Sequence, residues 1–197
     1  VEDTENAIPY LKTIVCAFVN AIKKENGDNQ YLFQEFELIC YYSGNQIYPY
    51  LPIIYDILIK NFSSIHCINV CNVLSFYLKT HFSSYSTQLY HLALDNLKTL
   101  DSRYLKVLLQ FITFSIIYQF QSPELFIEKV ENYLQFPETV DEVKTSFLLK
   151  SFSMLLQTGS IRIYSSRLAK LLFSLLQYRP LSEINQLAYN LVAFGDI

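Results

Sequence analysis

The sequence predicts an all-α protein, and three observations support that prediction. Apolar residues recur at helical spacing through most of the chain. Glycine and proline are scarce, with 4 and 6 residues among 197, whereas a β-sandwich or barrel needs many turn residues. The apolar fraction of 51%, with 16 Tyr and 15 Phe, supplies enough side chains for a continuous helical core.

Capping and helix-breaking residues divide the first half of the chain into five predicted helices. Proline fits only in the first turn of a helix, so Pro49 and Pro52 place the body of the third helix from about residue 51. The predicted N-caps are Asp3 or Thr4, Asn29, Ser63 or Ser64, and Ser84 or Ser86. The predicted spans are about 3–27, 30–42, 51–61, 64–79 and 87–97.

The second half of the chain is predicted to form five more helices. The sixth, residues 102–120, is apolar on nearly every side, so we expect it to be buried between neighbours. The seventh, from Glu124 to about residue 134, is amphipathic and should meet water on one face. Thr139 and Glu142 fit a capping box before the eighth helix. The last three predicted spans are about 139–157, 160–178 and 182–195.

Short links between these helices favour antiparallel neighbours. Pairing the second helix with the third, and the fourth with the fifth, gives units of roughly 35–40 residues, near the length of HEAT-type helical repeats. We therefore predict a HEAT-like solenoid, an α-α superhelix of about ten antiparallel helices in a single array over residues 1–197. A globular helical bundle is the structural alternative. Because the chain begins at Val1, we expect a piece of a longer solenoid with apolar end faces.

Composition and motifs exclude several classes of function. The net charge of −3 argues against a broad nucleic-acid-binding surface, and no apolar run reaches the roughly 18–20 residues of a membrane span. His81 and His91 have no catalytic partner at a recognisable motif spacing. The sequence contains no glycine-rich phosphate loop, GxSxG or HExxH motif. We therefore expect neither an enzyme nor a bound cofactor.

Cys67 and Cys71 lie one helical turn apart, with His66 beside them, which is a spacing that two metal ligands could share. His66 points away from that face, however, and no second pair of ligands completes a tetrahedral site. The favoured interpretation is that both cysteines are core residues on an apolar stripe. The four cysteines show no pairing pattern, which is typical of a reducing compartment.

Charge is segregated along the chain. Six acids and one lysine occupy residues 124–142, and six bases with no acid occupy residues 143–182. Glu124, Glu128 and Glu131 recur at i, i+4 and i+7, so they share one face of the seventh helix. This acidic stripe is the candidate protein-binding site, because it would attract a basic partner over about a Debye length. A solvated helix face without a partner is the alternative.

Aromatic residues are dense in the first half of the chain. Pockets between adjacent helices could accept an aromatic side chain of a partner, although such residues more often fill the core or the turns. The residues in question are Tyr41, Tyr42, Tyr48, Tyr50, Phe62, Phe82 and Tyr85.

Several segments carry a resemblance to a known family. Residues 31–38 and 50–55 resemble a hairpin whose second helix opens on Leu-Pro, and residues 92–97 resemble the helix that precedes the central stretch. Residues 127–137, followed by Val140 and a long helix, are similar to a segment reading Leu-Glu-Asn-Leu-x-Phe-Pro. Over about residues 30–178 the chain thus resembles the C-terminal HEAT repeats of the importin-beta superfamily, most closely the importin seven/eight type. The long acidic loop or tail common in that type is absent here.

The resemblance implies a receptor that shuttles between cytoplasm and nucleus through nuclear pores. Such receptors carry cargo proteins, bind Phe-Gly repeat nucleoporins between outer helices, and bind Ran-GTP mainly through N-terminal repeats, which would lie outside this segment. It implies no catalytic residues, and it leaves import versus export open. The first hypothesis is therefore a nuclear transport receptor segment with basic cargo at the acidic stripe. The second is a non-catalytic helical-repeat scaffold subunit of a cytosolic complex.

Overall fold

The chain is all-α in the computed structural model, which describes residues 8–24, 29–98, 102–119, 121–134, 142–176 and 182–194. These residues contain ten α-helices and no strand, which confirms the predicted fold class. The helices are α1 (Leu11–Lys24), α2 (Gln30–Ser43), α3 (Leu51–Lys60), α4 (Ile65–Leu78), α5 (Ser83–Asp95), α6 (Ser102–Gln119), α7 (Pro123–Leu134), α8 (Glu142–Gln157), α9 (Ser165–Leu176) and α10 (Ser182–Phe194).

Short 3-10 helices account for the largest errors in the predicted boundaries. Helix α5 begins at Ser83 because the 3-10 helix Lys79–Phe82 leads straight into it, so Ser84 and Ser86 lie inside the first turn instead of capping it. Helix α9 begins at Ser165, after the 3-10 helix Arg162–Tyr164, and not at Ser160. Each 3-10 helix continues the helical path, so the following α-helix needs no side-chain cap.

Two predicted N-caps occupy the N-cap position without making a capping hydrogen bond, namely Asn29 before α2 and Ser64 before α4. The backbone ψ of Asn29 is 20°, far from the extended conformation of a capping residue. Ser182 is the first residue of α10 and donates instead to the carboxylate of Glu183 at 2.8 Å. The predicted caps at residues 3–4 and the capping hydroxyl of Thr139 lie outside the described residues.

The helices pack in two rows. Helix α2 packs most extensively on α4, α4 on α6, α6 on α8, and α8 on α10; we call these five helices the even row. The odd-numbered helices contact each other in the same order, α1 with α3, α3 with α5, and α5 with α7. In the part of the chain that the structure describes, all substantial contacts join α-helices no more than two apart in the chain, which is the pattern expected of stacked pairs.

The helical pairs begin one helix earlier than predicted. Helix α1 packs on α2, α5 on α6, and α9 on α10, so an odd helix pairs with the even helix after it. The links after α2 and α4 contain the 3-10 helices Gly44–Tyr50 and Lys79–Phe82. In these two links, the 3-10 helices make the main packing contacts. The two α-helices that each of them joins make few contacts with each other.

Side-chain hydrogen bonds between neighbouring pairs recur at a nearly constant sequence separation. Asn72 Nδ2 donates to the carbonyl of Val107, 35 residues away, at 3.1 Å. Lys129 Nζ donates to Asp95, 34 residues away, at 2.9 Å. Tyr55 donates to Gln88 over 33 residues. A repeating packing geometry therefore underlies a sequence whose units do not copy one another.

Helix α6 is buried between neighbours, as its composition predicts. It packs on α4, α5 and α8, and Leu108, Phe111 and Ile112 are fully buried. Tyr104 Oη donates to the carbonyl of Phe62 at 2.9 Å, which ties the start of α6 to the end of α3. Large apolar side chains stay exposed on the last pair, with Phe173 on α9 and Val192 on α10.

The turns after α2 and α4 repeat one backbone geometry. Gly44 has φ 53° and ψ −127°, and Lys79 has φ 47° and ψ −122°. The N–H of Gly44 donates to the carbonyl of Cys40, and that of Lys79 donates to the carbonyl of Ser75. Glycine adopts this conformation freely, whereas a lysine there is strained.

We expect Lys79→Gly to be more stable than Lys79→Ala by about 1 kcal/mol, because only glycine relieves the positive φ. Both variants lose the ammonium group that lies 5.9 Å from the ring centre of Tyr118, so the comparison isolates the backbone. Urea unfolding would measure the difference. Gly44→Ala should be destabilised by a similar amount, because Gly44 also has a positive φ. Its new Cβ would lie 3.7 Å from Tyr77, which is an ordinary van der Waals contact, so no steric clash adds to the strain. Equal stability of the two Lys79 variants would contradict the strain.

Candidate protein-binding groove

Three adjoining surface cavities follow the even row. The first pocket, about 360 Å³, lies between α2, α4 and α6. The second, about 390 Å³, lies between α6 and α8, and the third, about 350 Å³, lies between α8 and α10. Gln110 and Phe114 line both the first and the second pocket, and Lys150 and Met154 line both the second and the third. The pockets therefore form one groove, which we call the even groove.

An aromatic cluster of Tyr41, Phe76, Tyr77, Phe114 and Tyr118 crosses the first part of the even groove. Ring centres lie 5.7 Å apart for Tyr41 and Tyr77, 5.3 Å for Phe76 and Tyr77, and 6.2 Å for Phe76 and Phe114. Tyr41 is 54% exposed and Phe76 is 48% exposed. Exposed aromatic surface of this kind is typical of a site that binds another molecule.

Polar groups line the first pocket beside these rings. Burial raises the pKa of the Glu37 carboxyl, against the opposing effects of nearby His66 and a hydrogen bond from Asn69. Asn72 is 6% exposed, and its Oδ1 has no hydrogen-bond partner among the described residues. Its Nδ2 is already used by the carbonyl of Val107. The pocket therefore combines a half-buried carboxylate, amide groups and aromatic walls.

The charge of the even groove changes sign along its length. Glu37 is the charged residue of the first pocket, whereas Lys106 and Lys150 line the second. In the third pocket, Lys150 Nζ lies 3.3 Å from the carboxylate of Glu183. The groove thus offers an acidic site followed by a basic one.

The acidic stripe of Glu124, Glu128 and Glu131 lies on one face of α7, as predicted, but it contributes no lining residue to the three pockets. Arg167 of α9 reaches it. Its Nη2 and Nε lie 2.6 Å and 3.1 Å from the two carboxylate oxygens of Glu131, and its Nη1 lies 3.9 Å from Glu124. The hydrogen bond to Glu131 raises the pKa of Arg167, with smaller contributions from Glu124 and Glu128.

Ion pairs between helices explain part of the charge segregation. The acids of α7 find a base two helices later, in Arg167, and Lys129 of α7 finds an acid two helices earlier, in Asp95. Sequence reasoning missed these pairs because it treated each helix by itself. The sequence signal that could have revealed these pairs is that the two partners lie 34 to 36 residues apart, which is about the length of one repeat.

Cys67 and Cys71 are fully buried, which confirms their interpretation as core residues. The Sγ atom of Cys67 donates to the carbonyl of Leu58 at 3.4 Å, and burial raises the pKa of its thiol. His66 is half-buried and lies 3.4 Å from the side-chain amide of Gln34. Among the residues that the structure describes, no three His, Cys, Asp or Glu residues cluster in a way that could hold a metal ion.

Glu183, at the start of α10, carries the clearest pH dependence. Hydrogen bonds from Ser182, from its own backbone N–H and from Ser146 lower its pKa from 4.5 to about 2. Because the folded pKa lies below the unfolded value, this stabilisation is complete above about pH 5 and is lost as the pH falls towards 2. We expect Glu183→Gln to flatten the decline of thermal stability across that window. The control is Glu35→Gln, at an exposed carboxylate of α2, and equal effects of both variants would refute the assignment.

No family model, curated protein or solved structure matches this sequence. The comparisons therefore identify no family for this chain. None of the described helices combines the length and the hydropathy needed to cross a membrane.

Proposed function

We propose that this chain is a non-catalytic protein-binding segment of a helical-repeat solenoid, and that its even groove holds a segment of a partner protein. The observation that carries the proposal is the aromatic cluster, in which Tyr41 and Phe76 stay exposed although the cluster joins α2, α4 and α6. The serial contacts along the even row support the solenoid.

The composition of the even groove favours a protein as its occupant. Tyrosine and phenylalanine rings are enriched at protein–protein interfaces. Asn69 and Gln110 of the first pocket and Gln157 of the third present side-chain amides, which both donate and accept hydrogen bonds. Such groups match the peptide backbone of a partner segment, which offers one donor and one acceptor per residue.

The groove can be tested with a library of random 12-residue peptides selected on the chain. Selected peptides should compete with one another and should lose about tenfold or more in affinity against Phe76→Gln/Phe114→Gln, because aromatic anchors carry much of the binding energy. The matched control is Tyr31→Gln/Ile163→Gln, two exposed apolar positions outside the groove. Circular dichroism checks that both double variants fold. Selected peptides that bind both variants equally would refute the groove as the binding site.

Nucleocytoplasmic transport is the more specific form of this proposal, and it rests on the resemblance alone. A transport receptor should bind Phe-Gly repeat peptides weakly, and the full-length protein should bind Ran-GTP. A scaffold subunit of a cytosolic complex should do neither. The two assays separate these functions while leaving the even groove as the common binding surface.

The acidic stripe is a second proposed contact, for basic cargo. The ion pair of Arg167 with Glu131 determines which glutamate should be replaced to test it. Replacing Glu131 would break its bidentate pair with Arg167, whereas Glu128 is exposed and makes no ion pair among the described residues. We expect Glu128→Gln to weaken binding of a hexalysine peptide up to about fivefold at low salt. Isothermal titration at two salt concentrations measures it, with Glu35→Gln as control. Unchanged affinity would remove the stripe from cargo binding.

A further inference from the structure

We propose that the first pocket of the even groove binds an arginine side chain of the partner, with Glu37 as its counter-ion. This inference rests on the proposed function and adds the chemistry of one residue of the partner. It places a specificity-determining site on α2 and α4, away from the acidic stripe on α7.

The pocket presents acceptors for a group that carries many donors. Arginine offers five N–H donors in a fixed planar fork and no acceptor. Glu37 supplies a carboxylate at the wall of the pocket, and Asn69 and Asn72 line the same pocket with side-chain amides. A guanidinium at Glu37 would form charge-assisted hydrogen bonds with the carboxylate.

The walls of the pocket suit a planar cation. Tyr41, Tyr77, Phe76 and Phe114 line it with aromatic rings. Their faces attract a cation, and guanidinium stacks on such rings better than the compact ammonium of lysine does. The pairing of aromatic walls with a carboxylate therefore selects arginine over lysine and over an apolar side chain.

The charges around Glu37 favour the binding of a cation beside it. None of the ion pairs among the described residues involves Glu37. His66 acts to lower the pKa of Glu37, but this effect is smaller than the opposing effect of burial. A half-buried carboxylate without a full counter-charge gains more from a bound cation than a solvated one does. The lysines of the second pocket, Lys106 and Lys150, would attract an acidic residue elsewhere in the same partner segment.

The test uses two peptides, acetyl-Gly-Arg-Gly-amide and the same peptide with citrulline, which keeps the shape of arginine without its charge. Both are titrated into the isotopically labelled chain while the side-chain amide NMR signals of Asn69 and Asn72 are followed. The arginine peptide should shift these signals and bind about tenfold tighter than the citrulline peptide. Equal affinities, or no shift at Asn69 and Asn72, would overturn the proposal.

Two variants localise the effect. Glu37→Gln should reduce the affinity for the arginine peptide about tenfold and abolish the preference over citrulline, whereas Glu35→Gln on the same helix should change neither. The peptide pair tests the unaltered chain, so the result does not depend on the folding of a variant. If Glu37→Gln has no effect but Phe76→Gln/Phe114→Gln still weakens the selected library peptides, the arginine site is wrong and the groove remains.

Discussion

Replacing Phe111 with alanine is expected to destabilise the protein by about 3–5 kcal/mol, the largest effect that we expect from any single substitution. Phe111 is 0% exposed and lies in the middle of α6, which packs on α4, α5 and α8. Its ring centre lies 5.6 Å from that of Phe62, at the end of α3. The cavity would therefore open where neighbouring pairs meet, and no flexible surface side chain could fill it.

Urea unfolding followed by circular dichroism measures this loss. Phe76→Ala is the matched control, since Phe76 lies on the adjacent even helix α4 but is 48% exposed. It should cost roughly 1 kcal/mol, because about half of the side chain is already in contact with water. A Phe111→Ala variant no less stable than Phe76→Ala would show that α6 is not the centre of the packing.

A chain that ends after Ser160 is expected to keep α1 to α8 folded, because the described residues of the removed pair α9 and α10 pack mainly on each other and on α8, and their link to α7 is the surface ion pair of Arg167. Stacked pairs lose one interface at a time, whereas a globular bundle around one core would unfold as a whole. Circular dichroism per molecule and a thermal melt distinguish these outcomes. Complete loss of helicity would refute the solenoid.

A second truncation tests the pairing of the helices. A chain that ends after Pro180 lacks only α10, the principal packing partner of α9. Without it, α9 should unfold, because a helix of 12 residues is marginal in water by itself. The helical signal per molecule should then fall almost to that of the shorter chain. If α9 remains helical, the pairs begin with even helices after all.

The sequence predicts the positions of the helices far better than it predicts which helices pack against each other. Apolar spacing located all ten helices, and the composition of α6 indicated its burial correctly. The starts of α5 and α9 were misplaced, because a short 3-10 helix has no side-chain signature of its own. Local patterns report what each helix buries, but they do not report which helix lies against that face.

The candidate groove shows the same limit. The sequence marks Tyr41 as one of many aromatic residues but does not predict the cluster that it joins. Phe76 and Phe114 meet in that cluster because α2, α4 and α6 stack in a row. Glu37 has no distinguishing motif in the sequence, because the residues that line its pocket, such as Asn69, lie on other helices. Comparing positions about one repeat apart would have brought these residues together, as it would have paired Arg167 with Glu131.

The serial contacts along the even row also have a mechanical consequence. In the proposed solenoid, each helix of the even row is held mainly by the helices next to it in the row. Small rotations at successive interfaces would therefore add up along the array while each interface stays intact. The even groove would then widen or narrow as the array bends.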